Sequence, residues 1–360
     1  MESRRVEAMR CTLLIAVGLL ASALAHAGDR PFVHPGLLHT QADLDRMRQC
    51  VAAGKEPWKG GFEKLRLDPP SRPDWKLRGP FEVVTRGSDL SRGNPQMVLD
   101  GNAAYQNALM WCVTGNEAHA HKAVEILNAW ALKLRKMDGR DVQLSAGLNG
   151  FKFVSAAELM RHTYPAWPRE AVARFERMLK EAMLPPIKEF APFANGNWDA
   201  ACLVTMMATG VFCDDRELFN RATTYFRSGQ GNGRLVHYVF NETGQCQESG
   251  RDQQHTQLGL GLLAEACEIA WHQGVDLYAE ADKYAKLTED EIKSLVVDDK
   301  WLATIAAAVQ GELDRVSQTL TGRIRQLAER YASPLPQLTG EVATLAARVD
   351  GHLKKMGCQV

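Results

Sequence analysis

Two polar stretches break into otherwise apolar territory. The first, Asn195-Gly196-Asn197-Trp198-Asp199, opens the almost wholly apolar segment 198–212. The second runs from Gln245 to His255, carries Glu248, Arg251, Asp252 and Gln254, and leads into the apolar segment 258–271. Amides, a guanidinium and an imidazole suit one kind of reaction on a sugar acid. Taking a proton from the carbon beside a carboxylate needs a donor that holds the carboxylate and stabilises the developing enolate. It also needs a base for that proton and an acid for the departing oxygen. Asn197 is the candidate for the carboxylate, with a plain helix cap as the equal alternative. His255 is the candidate base, with a hydrogen-bonded core histidine as the alternative. Arg251 stands one turn before His255 if the segment is helical, where a cation favours the neutral, proton-accepting ring. Glu248 and Arg251 are spaced to pair and orient the site. Gln254 offers an amide to a sugar hydroxyl, or nothing. Trp198 offers a face to a sugar ring, although core burial suits it better. Tyr105 falls mid-helix and suits packing more than chemistry. Asp199, Glu248 and Asp252 keep a paired-carboxylate hydrolase open as a further reading.

Helices must position these groups. Thr40 can cap a helix with Leu44, Met47 and Val51 on its apolar face, the one clear helix in residues 28–75. Helical spacing then recurs over 98–114, 118–136, 153–162, 168–183, 198–212, 216–228 and 254–273. Residues 235–241 are the one modest strand candidate. Apolar helices alternating with amphipathic ones predict an all-α chain and suit a two-layer ring, an (α/α) toroid; a plain helical bundle fits the periodicity equally. In a ring, the starts of the inner helices converge on one rim, where free N–H groups favour anions.

Residues 1–27 read as a signal peptide: Arg4, Arg5 and Arg10, an apolar run from Leu13 to Leu24, then Ala25-His26-Ala27 before a cut at Gly28. The expectation is a periplasmic or secreted protein with no stable membrane association after cleavage. The 43 basic residues balance the 43 acidic ones, which excludes the footprint of a nucleic-acid binder. No Gly-rich phosphate loop, G-x-S-x-G or H-E-x-x-H occurs, and no cofactor is expected. The cysteines and histidines show no metal spacing, so no metal is expected either; most cysteines are expected as buried thiols, with at most one bridge. Near residue 285 the character changes. Leu302, Ile305, Val309, Leu313, Val316, Leu320, Ile324 and Leu327 step by three and four, which predicts a long helix with one sticky seam able to self-associate. Ser333-Pro334-Leu335-Pro336 should stop it, and a short amphipathic helix should follow from Glu341 to about Lys355.

The stretch Phe32-Val33-His34-Pro35-Gly36-Leu37-Leu38-His39-Thr40 resembles the opening of alginate lyase domains, as does Thr114-Gly115-Asn116-Glu117 through Ile126-Leu127-Asn128-Ala129-Trp130. Asn195-Gly196-Asn197-Trp198 and Glu248-Ser249-Gly250-Arg251-Asp252-Gln253-Gln254-His255 resemble the site motifs of the glucuronan and alginate lyases of polysaccharide lyase family 38. The resemblance covers about residues 30–282. It implies an (α/α) toroid over residues 28–283, an acidic polysaccharide as partner, and metal-independent β-elimination on polyuronates. It carries a carboxylate-neutralising role onto Asn197 and an acid/base role onto His255, with Arg251 beside them. Such lyases continue past 277–280 with further helices and a catalytic tyrosine, which Tyr284 and Tyr331 do not match. An incomplete toroid with weak or lost activity is therefore expected. From Tyr284, the runs Leu287-Thr288-Glu289-Asp290-Glu291-Ile292-Lys293 and Leu295-Val296-Val297-Asp298-Asp299-Lys300-Trp301 resemble the C-terminal end of type I restriction-modification methyltransferase subunits. That implies a helical tail, 284–360, joined by gene fusion. A non-catalytic carbohydrate-binding or helical assembly protein is the alternative.

Overall fold

Caps and turns set the element boundaries. The computed structural model describes residues 30–87, 91–239, 245–280, 321–322, 325–326 and 334–357. Helix α1, Gln41–Ala52, opens with a reciprocal capping box: Thr40 accepts from the Asp43 N–H while the Asp43 carboxylate accepts from the Thr40 N–H. Helix α2, Trp58–Leu67, follows; it buries no residue fully, and Gly60 and Gly61 within it blur the apolar pattern, so its sequence gives little warning of it. Strand β1 is Val83–Thr85. Helix α3, Asn94–Thr114, is bounded by Gly93 and Gly115 in left-handed conformation. Then come α4, Glu117–Lys133, capped by Asn116, and β2, Lys136–Asp138. The two strands pair in parallel, Val84 opposite Met137. At three residues each, they are too short to show alternation.

Helix α5, Val142–Thr163, starts well before Phe153. Its first turns hold buried Ser145 and Asn149 beside Gly147 and Gly150, which interrupt the apolar rhythm but fit close helix approaches. Helix α6, Arg169–Met178, runs on as a π turn over Leu179–Met183. Helix α7, Trp198–Phe212, is buried at every residue from Asp199 to Phe212. Helix α8, Arg216–Ser228, is capped by Asp215. Over the described part of the expected strand at 235–241 the chain instead forms a helical turn, α9, Leu235–Tyr238, closed by the Val239 N–H on the Leu235 carbonyl, and Val239 bridges to Cys246; residues 240–241 lie outside the described residues. Helix α10, Gln253–His272, is capped by Asp252.

Helix directions follow from paired contacts. Asn94 lies against Ser145 and Asn149, and Gly101 against Phe153, so α3 and α5 run parallel. Gly147 abuts Ala201 and Gly150 abuts Thr205, so α5 and α7 run parallel too. The C-terminal ends of α5 and α10 both hold the segment before α1: Glu158 accepts the Gly36 N–H, and Gln273 binds Val33 and Gly36. Helix α4 returns antiparallel to α3, with Asn107 bonded to His119 and Asp100 to Trp130. The inner helices α3, α5, α7 and α10 thus start at one rim, and α4, α6 and α8 return outside them. This two-layer arrangement is that of an (α/α) toroid. Trp130 fills the space between layers, edge-on to Phe153 at 5.8 Å. Burying such a ring stabilises the packing by ~4–6 kcal/mol from area alone.

Two compact units divide the chain, residues 1–285 and 286–360. In the second, α11 spans Pro334–Lys355. It begins at the prolines expected to end a helix, because a first-turn proline gives up no helical hydrogen bond. Leu338, Val342, Leu345 and Val349 form an exposed stripe along it. The expected signal peptide lies outside the described residues, as does almost all of the expected seam over 302–327. Among the described residues, Cys50, Cys112, Cys202, Cys213, Cys246 and Cys267 are free thiols, and no helix is long and apolar enough to cross a membrane.

Candidate active site

The two polar stretches touch. Gly196 adopts φ 72°, donates its N–H to the Gln247 side-chain oxygen at 2.6 Å, and packs so tightly on Glu248 that a Cβ would overlap its Oε1. The backbone that aims Asn197 is therefore set by the strand of chain leading to α10. Asn197 sits at the entrance to α7 but makes no side-chain cap bond. It is only 2% exposed, and its Nδ2 has no hydrogen-bond partner among the described residues. The plain-cap reading of this residue does not hold.

Glu248 is buried, and Arg251 Nη1 approaches its Oε1 at 3.5 Å, the pairing their spacing suggested. Arg251 itself stands in the turn before α10 rather than within the helix, with Nε 3.7 Å from Asp252. The group next to the His255 ring is thus a carboxylate and not the expected cation. Asp252 caps α10 by accepting the His255 N–H at 2.7 Å, and both its oxygens lie within 2.9 Å of His255 Nδ1. The His255 backbone N–H is the chief reason the Asp252 carboxyl sits below its usual range. With Nδ1 engaged, Nε2 is left without a hydrogen-bond partner among the described residues. Gln254, in the first turn of α10, is exposed.

Trp198 is half-buried rather than lost in the core, and meets Phe193 edge-on at 6.4 Å. Phe193 is 69% exposed, so an aromatic pair reaches solvent beside Asn197. Nothing in the periodicity marks Phe193, which lies in a turn. Tyr238 is a second residue that pattern reading missed. It is fully buried and donates its hydroxyl to the His255 carbonyl at 3.3 Å, and burial pushes its phenol well up. Its role is to fix the His255 backbone. Gln143 Oε1 and Asn149 Oδ1, in the first turns of α5, are buried acceptors without partners among the described residues. They stand at the same end of the inner helices as Asn197.

Tyr105 belongs elsewhere. Its hydroxyl lies 3.1 Å from His39 Nε2, and it lines a cavity of about 350 Å³ between α3, α5 and α10 with Lys152, Leu258 and Glu265. Burial pushes the Tyr105 phenol up, lowers Lys152, and lifts the Glu265 carboxyl to about 7. A larger groove of about 1080 Å³ runs along the outer helix α8 past Arg216 and Tyr225, open and without any of the rim residues. Asp199 is wholly buried and accepts the Ala191 and Gly233 N–H groups at 2.7 Å each. It anchors two loops, which removes it from a pair of hydrolytic carboxylates.

An arc of parallel inner helices with an amide, an acid-paired histidine and a flanking aromatic pair at its rim defines a helical toroid built around a polar entrance. The fold is shared with alginate lyase A1-III: in complex with a tetrasaccharide, a tyrosine-to-phenylalanine form of that enzyme matches with a TM-score of 0.50 at 17% identity, over 67% of this chain and 72% of its own. The alginate lyase family model matches residues 85–289, more than half of the sequence, and the chain belongs to that family. Also similar are alginate lyase A1-III from Sphingomonas species A1 (17% identity, TM-score 0.49, 66% of this chain and 71% of that one) and an alginate lyase from Bacteroides ovatus (14%, 0.47, 69% and 79%). No curated protein sequence matches the chain.

Proposed function

We propose that the chain cleaves polyuronates, alginate or glucuronan, by β-elimination at this rim. The observation that carries the reading is the buried, unpartnered Asn197 amide, held by Gly196 against the stretch that leads to His255. An unpaired buried donor costs about 1–3 kcal/mol. A uronate carboxylate accepting from Nδ2 removes that cost and lets the amide stabilise the negative charge that grows as C5 loses its proton. Asp252 holds His255 with Nδ1–H toward the carboxylate, which leaves the Nε2 lone pair as the base. The C5–H bond breaks to Nε2, the C4=C5 double bond forms, and the C4–O4 bond breaks. The proton gained by Nε2 then passes to O4, so His255 serves as both base and acid. In this reading Arg251, half-exposed beside Glu248, meets a second carboxylate of the polymer, and the Phe193–Trp198 pair offers a face to a sugar ring. Export with loss of residues 1–27 suits an enzyme whose polymeric substrate lies outside the cytoplasm.

Mass spectrometry after incubation with polymannuronate, polyguluronate or polyglucuronate tests the reading. It expects oligomers with an unsaturated uronate at the new non-reducing end from at least one polymer. Saturated ends from all three would instead indicate hydrolysis, and tight binding without cleavage would indicate a carbohydrate-binding protein.

A further inference from the structure

At the opposite end of the inner helices lies a second cluster of chemically capable side chains. Glu158 and His162 stand one turn apart near the C-terminal end of α5, and His34 reaches them from the segment before α1. One Glu158 oxygen lies 2.8 Å from His34 Nδ1, and the other lies 3.6 Å from His162 Nε2. All three ligand atoms fall within 4.8 Å of one another. The two imidazoles stack at 4.3 Å, nearly parallel, so both edges converge on one carboxylate.

We propose that His34, Glu158 and His162 bind one divalent transition-metal ion of the zinc type. Three independent features support a built site. Glu158 is 1% exposed, and its Oε2 has no hydrogen-bond partner among the described residues. Leaving a carboxylate oxygen buried and unpaired is costly, and a cation removes the cost. Next, the ring nitrogen of His34 that faces away from Glu158, Nε2, lies 3.1 Å from Asp214. A carboxylate behind the second nitrogen is how metal-binding histidines are oriented and made more basic. Finally, the ligand set is right: two imidazoles and one carboxylate, with metal–ligand distances of about 2.0–2.2 Å, suit a tetrahedral ion that keeps its last position for water. The His162 side chain, about a quarter exposed, provides the way in. Such an ion would staple the segment before α1 to the end of an inner helix, where Gly36 already bonds Glu158 and Gln273 already bonds Val33. The site stands apart from the rim and does not depend on the proposed reaction.

Zinc and cobalt titration of the full chain, after chelation and dialysis, tests the proposal. The expected result is saturable binding of one ion per chain, a rise in Tm with zinc, and a cobalt visible spectrum of nitrogen and oxygen ligands without a thiolate charge-transfer band. His162→Gln, a surface change that spares the fold, should weaken binding at least tenfold and abolish the Tm rise, and His34→Gln should do the same. Absence of one-to-one binding, a thiolate band, or unchanged affinity in both variants would overturn it.

Discussion

Asn197 and Gly196 divide one task between a side chain and a backbone. Gly196 holds a left-handed turn against Glu248, where no Cβ fits, and so sets the backbone of the amide proposed to meet the uronate. Gly196→Ala should therefore displace the turn and cut kcat on the preferred polyuronate by about tenfold or more, with a Tm loss of several degrees, since strain of this kind costs about 1–3 kcal/mol. A variant with wild-type kcat would break the link between turn and site. Asp252→Asn keeps the cap but removes the charge that orients His255. Steady-state kinetics should show kcat falling at least about tenfold with little change in KM. At this scale, residue type singled out Asn197 and His255, whose roles belong to the proposal, and its spacing foresaw the Glu248–Arg251 pair. It failed where the partner lay outside the pattern. Asp252 reads as one of three candidate hydrolase carboxylates until it is seen capping α10 and holding the His255 ring, Tyr238 falls within the modest strand candidate, and Phe193 sits in a turn with no periodic signal.

Among the elements, the helices were legible where burial is uniform or one-sided: α7 and α8 begin and end where the pattern does. α5 was half hidden because its buried polar and glycine turns serve helix approach rather than apolar burial. The pairing of α3 with the preceding loop and α4 was not legible at all, because it depends on one buried acid. Asp100 accepts from Trp75 Nε1, Trp130 Nε1, Arg78 N and Gly79 N, all within 3.0 Å. Asp100→Ala strands these donors and should destabilise the fold by at least ~3 kcal/mol in chemical denaturation. A loss under ~1 kcal/mol would mean that the acid is not the anchor of this corner.

For the whole molecule, the ring arrangement puts a titratable group in the cavity between inner helices. Glu265 titrates at about 7 in the folded chain against an ordinary value of 4.5. Between those values the folded chain keeps a proton that the unfolded chain has lost. The stabilisation from this group is complete below about pH 4.5, declines as pH rises, and is gone above about 7. Thermal melts of Glu265→Gln should show a flatter pH dependence across that window than the wild type; an identical slope would contradict the burial of this carboxyl. Alternating burial allowed the toroid and a plain bundle equally, because the parallel inner helices rest on contacts between residues fifty apart, which periodicity does not encode. The expected signal peptide and most of the expected tail fall outside the described residues, so the helical ring carries the functional account.

Polyuronate cleavage at this rim requires the Asn197 amide and the His255 ring to act on one sugar acid. The direct measurement is the ultraviolet absorbance of the new C4=C5 bond during digestion of a polyuronate, followed for the wild type, Asn197→Ala and His255→Ala. The wild type should show a steady rise, and each variant should lose about 10²–10⁴-fold in rate while keeping its Tm. A variant of either residue that turns over at the wild-type rate would contradict it.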